Sequence, residues 1–220
     1  MSIEAYVRNR IADSPDHYEV AKAQAAALFA GRNGNEIAVK LALESDEAYL
    51  YVPFFGGRYR LRRRDGLAER EEPDGSRTEA GFYEALILYD LLADSAPGAE
   101  PAMDYTPLQN LAVMHNASSY AGHGMFSETE KLFDGRTAAL ARACEALGGV
   151  PFGKGDVSYR IPLFRNLCAV VSFWNSDEDF PASLNFLFDT GTLSFLHYET
   201  VWYVAALLAE RLEALVRSGV

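Results

Sequence analysis

A chain of 220 residues, 49% hydrophobic and 12% aromatic, is long enough for one large domain or two small ones. It carries enough apolar side chain for a packed core, which excludes a disordered chain. Its net charge of −11 argues against nucleic acid as a partner, since phosphate contact needs a basic face, and against docking on anionic lipid. Ser14-Pro15 predicts a helix start, a capping hydroxyl followed by proline at the first helical position, with Gly31 as its stop. Three strands are then expected from alternation: Ile37 to Leu43, Glu47 to Phe54, and Arg58 to Arg64. Gly56-Gly57 joins the last two and suits a tight hairpin. Asp65 to Thr78 is polar and reads as an exposed loop, and a helix is expected from Glu79 to about Ala93. Residues 95 to 126 are broken by prolines and glycines and read as irregular.

The second half repeats the order of the first. Ser127-Glu128-Thr129-Glu130 has the form of a capping box, and the helix it opens should end at Gly148-Gly149. Three strands follow. Val157 to Leu163 alternates, with Pro162 favouring an edge or a bulge. Leu167 to Trp174 is apolar at nearly every residue, as in a strand buried on both faces. Leu184, Phe186 and Phe188 face one way. The chain closes with a helix bearing Val204, Leu208, Leu212 and Leu215. Strands joined by short links imply antiparallel meanders, so the expected class is α+β, with helices packed on meanders; the helix–three strands–helix order recurs, which leaves a duplicated unit open. The expected organisation is a single domain over residues 1–220, its halves 1–95 and 127–220 joined by the irregular segment 96–126; one sheet or two stays open.

No basic-then-apolar leader opens the chain, and no apolar run approaches the ~20 residues that span a bilayer, so a cytoplasmic setting without a membrane partner is expected. Cys144 and Cys168 form no Cys-x-x-Cys pair and are expected as buried thiols in a reducing compartment.

Gly155-Asp156-Val157-Ser158-Tyr159, Phe173-Trp174, Asp177-Glu178-Asp179-Phe180-Pro181-Ala182, Leu187-Phe188-Asp189 and His197-Tyr198-Glu199-Thr200 together resemble the prokaryotic domain-of-unknown-function family 3786. The resemblance is clearest over residues 148 to 212. It implies a soluble domain of anaerobe-type microbes, sometimes fused to an iron–sulfur domain. This chain lacks clustered cysteines, so an iron–sulfur redox partner would be a separate protein. The family supplies no activity, cofactor or catalytic residue to carry over.

Candidate sites are read from residue type and spacing. Asp177, Glu178 and Asp179 lie between two apolar strands; they could hold a hard cation or form a solvated turn that blunts aggregation. His123, between glycines in the irregular segment and eight residues after His115, could serve as a base or metal ligand or lie in a hinged surface loop. Arg58, Arg60, Arg62 and Arg64 fall on one strand face, either to bind an anion or to be balanced in water by Glu69, Glu71 and Glu72. Gly148 to Gly155 nearly matches a phosphate loop, but Gly155 replaces the required hydroxyl and the helix precedes the strand, so no phosphate site is expected. His197 and Glu199 open the last helix, where Glu199 suits the helix dipole.

The leading reading is an accessory, non-catalytic domain binding a small anionic ligand or a protein partner. Arg58, Arg60 and Arg62 would supply charge, and Tyr51, Phe54, Tyr59 and Trp174 would line the site. The alternative is a metal-assisted enzyme using His123 with Asp156, Asp177, Glu178 or Asp179, and a third reading is a structural module that forms a homo-oligomer. No metal site is assigned, and the cofactor is unknown.

Overall fold

A computed structural model describes residues 15–113 and 126–219. His115 and His123 lie outside the described residues. The class is α+β, with helices packed on antiparallel sheets. The chain divides into two compact units, Met1–Ala99 with Leu193–Val204, and Glu100–Thr192 with Ala205–Val220.

The first unit contains helices α1 (Pro15–Ala30), α2 (Gly34–Lys40) and α3 (Phe82–Asp94). Its sheet is a meander of β1 (Tyr49–Phe54), β2 (Gly57–Arg62), β3 (Ala68–Glu71) and β4 (Arg77–Glu79), in that order. In β1 and β2 alternation sorts the side chains cleanly: Leu50, Val52, Phe54, Tyr59 and Leu61 are buried, and Tyr51, Arg58, Arg60 and Arg62 face outward. The β1–β2 hairpin turns on Phe55 and Gly56, both with positive φ, between the paired Phe54 and Gly57. That backbone matches the twist of the strands, and burial of the Phe55 ring, worth about 1.5–3 kcal/mol, offsets the ~1–2 kcal/mol cost of its left-handed conformation.

Two expectations are corrected here. Ile37 to Leu43 contributes to helix α2, not a strand. Asn33 caps it, its side-chain oxygen accepting from the Asn35 and Glu36 amides. Ile37, Ala38 and Leu41 are buried while Val39 is 83% exposed, a helical period that mimics alternation over so short a run. Asp65 to Thr78 is not a loop throughout: it contains β3 and the start of β4. Those strands bury only Ala68, so backbone pairing and cross-strand ion pairs hold them where an apolar pattern does not.

The second unit holds β5 (Tyr105–Pro107), β6 (Val150–Pro151), β7 (Val157–Phe164), β8 (Leu167–Trp174) and β9 (Ser183–Asp189) in one antiparallel sheet of order β5-β9-β8-β7-β6. The two sheets are therefore separate. β8 is central and mostly buried, as its nearly continuous apolar run requires. A register shift sits between Pro162 and Phe164, where the proline cannot donate to the ladder. The irregular segment is more ordered than expected, since it supplies β5 and helix α4 (Leu108–Val113).

The single helix expected from Ser127 is two: α5 (Ser127–Phe133) and α6 (Thr137–Ala146), separated at Gly135, whose φ is 71°. The capping box does not form. Phe126 occupies the cap position without a side-chain bond, and Glu130 instead accepts from the Leu184 amide on β9. α6 ends at Leu147 with Gly148 at positive φ, as the glycine pair predicts. α7 (Tyr198–Ser218) closes the chain. Among the described residues no helix is long and apolar enough to cross a membrane.

Candidate functional site

The acidic turn is built by its own first residue. Asp177 accepts the amides of Asp179 and Phe180 through one carboxylate oxygen, and its amide donates to the Phe180 carbonyl. This closes the link between β8 and β9 as an Asx-type turn. Asp177, Glu178 and Asp179 are all exposed, and Phe180 is 69% exposed beside them. Just upstream, Asp134 accepts the Ser176 amide and hydroxyl, and Asn175 accepts the Gly135 amide. The two bonds from Ser176 hold the Asp134 carboxyl below its ordinary value. Asp156 accepts the Asn175 amide. Trp174, at the end of β8, is 42% exposed. Asp189 is fully buried and accepts the amides of Ala102, Met103 and Gly191, which fastens the chain segment before β5.

The arginine row lies in the first unit and every member of it holds a carboxylate. Arg58 pairs with Glu44 at 2.9 Å and Glu71 at 3.7 Å, Arg60 with Glu69 at 2.8 Å, Arg62 with Asp65 at 2.8 Å, and Arg64 with Asp65 at 3.2 Å. Arg60 also stacks over the Tyr49 ring at 4.2 Å and Arg58 over Tyr51 at 5.2 Å, contacts that favour a guanidinium on an aromatic face. Tyr59 projects to the opposite, inner face. It is buried, and its hydroxyl donates to Glu84 at 2.7 Å. Phe54 is buried beside it, ring centroids 5.8 Å apart.

A denser polar constellation sits at the C-terminal end of α3. Asp90 lies within the otherwise apolar run Ala85 to Leu92 and is 1% exposed. Its two oxygens accept the backbone amide of His197 at 2.9 Å and contact the ring Nδ1 of His197 at 2.5 Å. The amides of Thr200 and Val201 in turn donate to the His197 carbonyl, so Asp90 fixes the residue that begins α7. A buried carboxylate needs such compensation, because moving it out of water unpaired costs several kcal/mol.

Asp94 follows one helical turn after Asp90, on the same face. One oxygen accepts from Arg32 at 3.2 Å; the other is buried and has no hydrogen-bond partner among the described residues. Lys40 donates to the carbonyls of Ala93 and Ser95, two of the acceptors left open where α3 ends. Burial pushes the Lys40 ammonium below the ordinary lysine value. One ligand-type atom each from Asp90, Asp94 and His197 lies within 4.8 Å of the others.

These residues carry a signal that pattern reading passes over. Asp90 and Asp94 are carboxylates at i and i+4 inside an apolar helix, and a charge in a buried run implies a partner. His197 is legible only as a helix opener, because its partner lies 107 positions earlier.

No curated protein and no solved structure matches the chain. The family model described as a domain of unknown function matches residues 33–211. That span holds both sheets, the Asp90–His197 contact and the acidic turn, so the chain belongs to the family DUF3786.

Proposed function

We propose that this protein is an accessory binding domain whose ligand is a divalent metal ion held by Asp90, Asp94 and His197. The carrying observation is the convergence of two carboxylates and an imidazole within 4.8 Å. The buried oxygen of Asp94, without a hydrogen-bond partner among the described residues, adds to it, since such an atom is costly unless a cation or donor meets it. Ligands about 2.1 Å from a shared ion stand ~3–4 Å apart, so side-chain rotation of about an ångström would close the set. One nitrogen and two oxygen donors suit zinc, manganese or ferrous iron.

Asp90 and Nδ1 of His197 face each other at 2.5 Å, where an ion would compete with a proton for the same lone pairs. Metal binding needs these ligands deprotonated, so affinity should rise with pH. Arg32 and the nearby Lys40 partly neutralise Asp94 beforehand, which suits an exchangeable ion better than a permanent one. The arginine row supports an anionic ligand less directly, because an incoming anion must displace Glu44, Glu69, Glu71 or Asp65.

The test is titration of chelator-stripped protein with zinc and with manganese by calorimetry. One ion per chain, proton release, and at least about tenfold weaker binding by Asp94→Ala are expected. Absence of binding by the native protein, or undiminished binding by Asp94→Ala, removes the proposal.

A further inference from the structure

We infer a second, independent ligand site in the first unit, a cavity of 280 Å³ that takes a small aliphatic zwitterion. The cavity lies between α1, the β2–β3 turn and α3, and shares no residue with the Asp90–Asp94–His197 cluster. Its lining includes five alanines. Short side chains there leave room for an apolar body, and Tyr89 is turned aside, its hydroxyl donating to the Gly66 carbonyl at 2.8 Å.

The charged lining is mixed in a particular way. Lys22, whose side chain is only 12% exposed, has its ammonium 2.8 Å from Glu79 and 3.1 Å from Glu19. Arg62 donates to Asp65 at 2.8 Å. The cavity therefore presents two cations and three carboxylates around a small apolar surface. A purely anionic guest would confront three carboxylates, and a purely cationic one two cations. A guest with both a carboxylate and an ammonium can exchange into the existing Lys22–Glu79 pair, its carboxylate meeting Lys22 and its ammonium Glu79 or Glu19, and buries no net charge. Ligand cavities commonly run from about 300 to 1,000 Å³, so this one suits the smallest class, such as a short α-amino acid.

The probes are L-alanine, L-valine and L-threonine, read by thermal shift and calorimetry. The valine analogues lacking one charge, 3-methylbutanoate and isobutylamine, serve as controls. All runs contain EDTA, so failure of the metal site leaves this result unaffected. At least one amino acid should bind, and valine about tenfold or more tighter than either analogue. Lys22→Met, which keeps the aliphatic stem, and Glu79→Gln, at an exposed position, should each weaken binding by a similar factor while the circular dichroism spectrum stays native. Three results overturn the inference: no amino acid binds the native protein, an analogue binds as well as valine, or both variants bind as well as the native chain.

Discussion

Replacing Asp90 by alanine removes two contacts at once, the acceptor for the His197 amide and the partner of the His197 ring. Each hydrogen bond to a charged group is worth about 1.5–3 kcal/mol, and breaking a buried charged pair typically costs about 3–5 kcal/mol. The His197 side chain is 32% exposed, so water can take up part of its lost interaction, which places Asp90→Ala near ~3 kcal/mol. Asp90→Asn keeps an oxygen for the amide and should cost about half as much. His197→Ala strands a carboxylate that is 2% exposed and should cost ~3–5 kcal/mol. The decisive measurement is a double-mutant cycle of Asp90→Asn and His197→Ala by urea unfolding in EDTA. Removing both charges relieves the stranded carboxylate, so the double variant should be more stable than the sum of the singles predicts by at least about 1 kcal/mol. Additivity within ~0.5 kcal/mol would refute the idea that this pair holds the start of α7.

Other outcomes follow from single positions. Gly66 has a φ of +75°, and an added Cβ would lie 2.2 Å from the Ala26 carbonyl oxygen, so Gly66→Ala should lower the urea midpoint strongly, by more than the ~1–2 kcal/mol of a left-handed alanine alone. The Asp65 carboxyl is held down to about 2, chiefly by its hydrogen bond from Arg62. Its folded value lies below its unfolded one, so the associated stability is present above pH ~4 and lost as pH falls toward 2; Asp65→Asn should flatten that part of the pH–stability curve. Burial pushes the Cys144 thiol up to about 12; it raises the Cys168 thiol too, but Cys168 is only half-buried and so within reach of a reagent. Native protein should therefore take up one equivalent of a thiol reagent at Cys168, and a second only on unfolding, as mapped by mass spectrometry.

Much of the architecture is legible in one dimension because its causes are local. Pleat alternation sorts Leu50, Val52 and Phe54 from their neighbours, and the nearly continuous apolar run of β8 marks a strand covered on both faces. The glycine pair after α6 stops a helix by its own backbone freedom. Where several periods fit one run, locality fails. Residues 37–43 satisfy both alternation and a helical turn, and the Asn33 cap with the exposure of Val39 decides for the helix. Ser127 and Glu130 could cap each other, yet Glu130 is drawn to the Leu184 amide, a competition that involves residues 54 positions apart.

An acidic α+β protein of meanders and helices, with its family resemblance carried in the C-terminal half, is legible from residue order alone. The fold was needed to show that there are two sheets, that the arginine row pairs with Glu44, Asp65, Glu69 and Glu71, and that Asp90 meets His197. The reason is physical: a strand or helix records its period in adjacent residues, whereas a buried charge finds its partner wherever the chain returns. Asp90 is a charge in an apolar helix that the periodicity passes over, and the fold alone supplies the histidine 107 residues away that makes its burial tolerable.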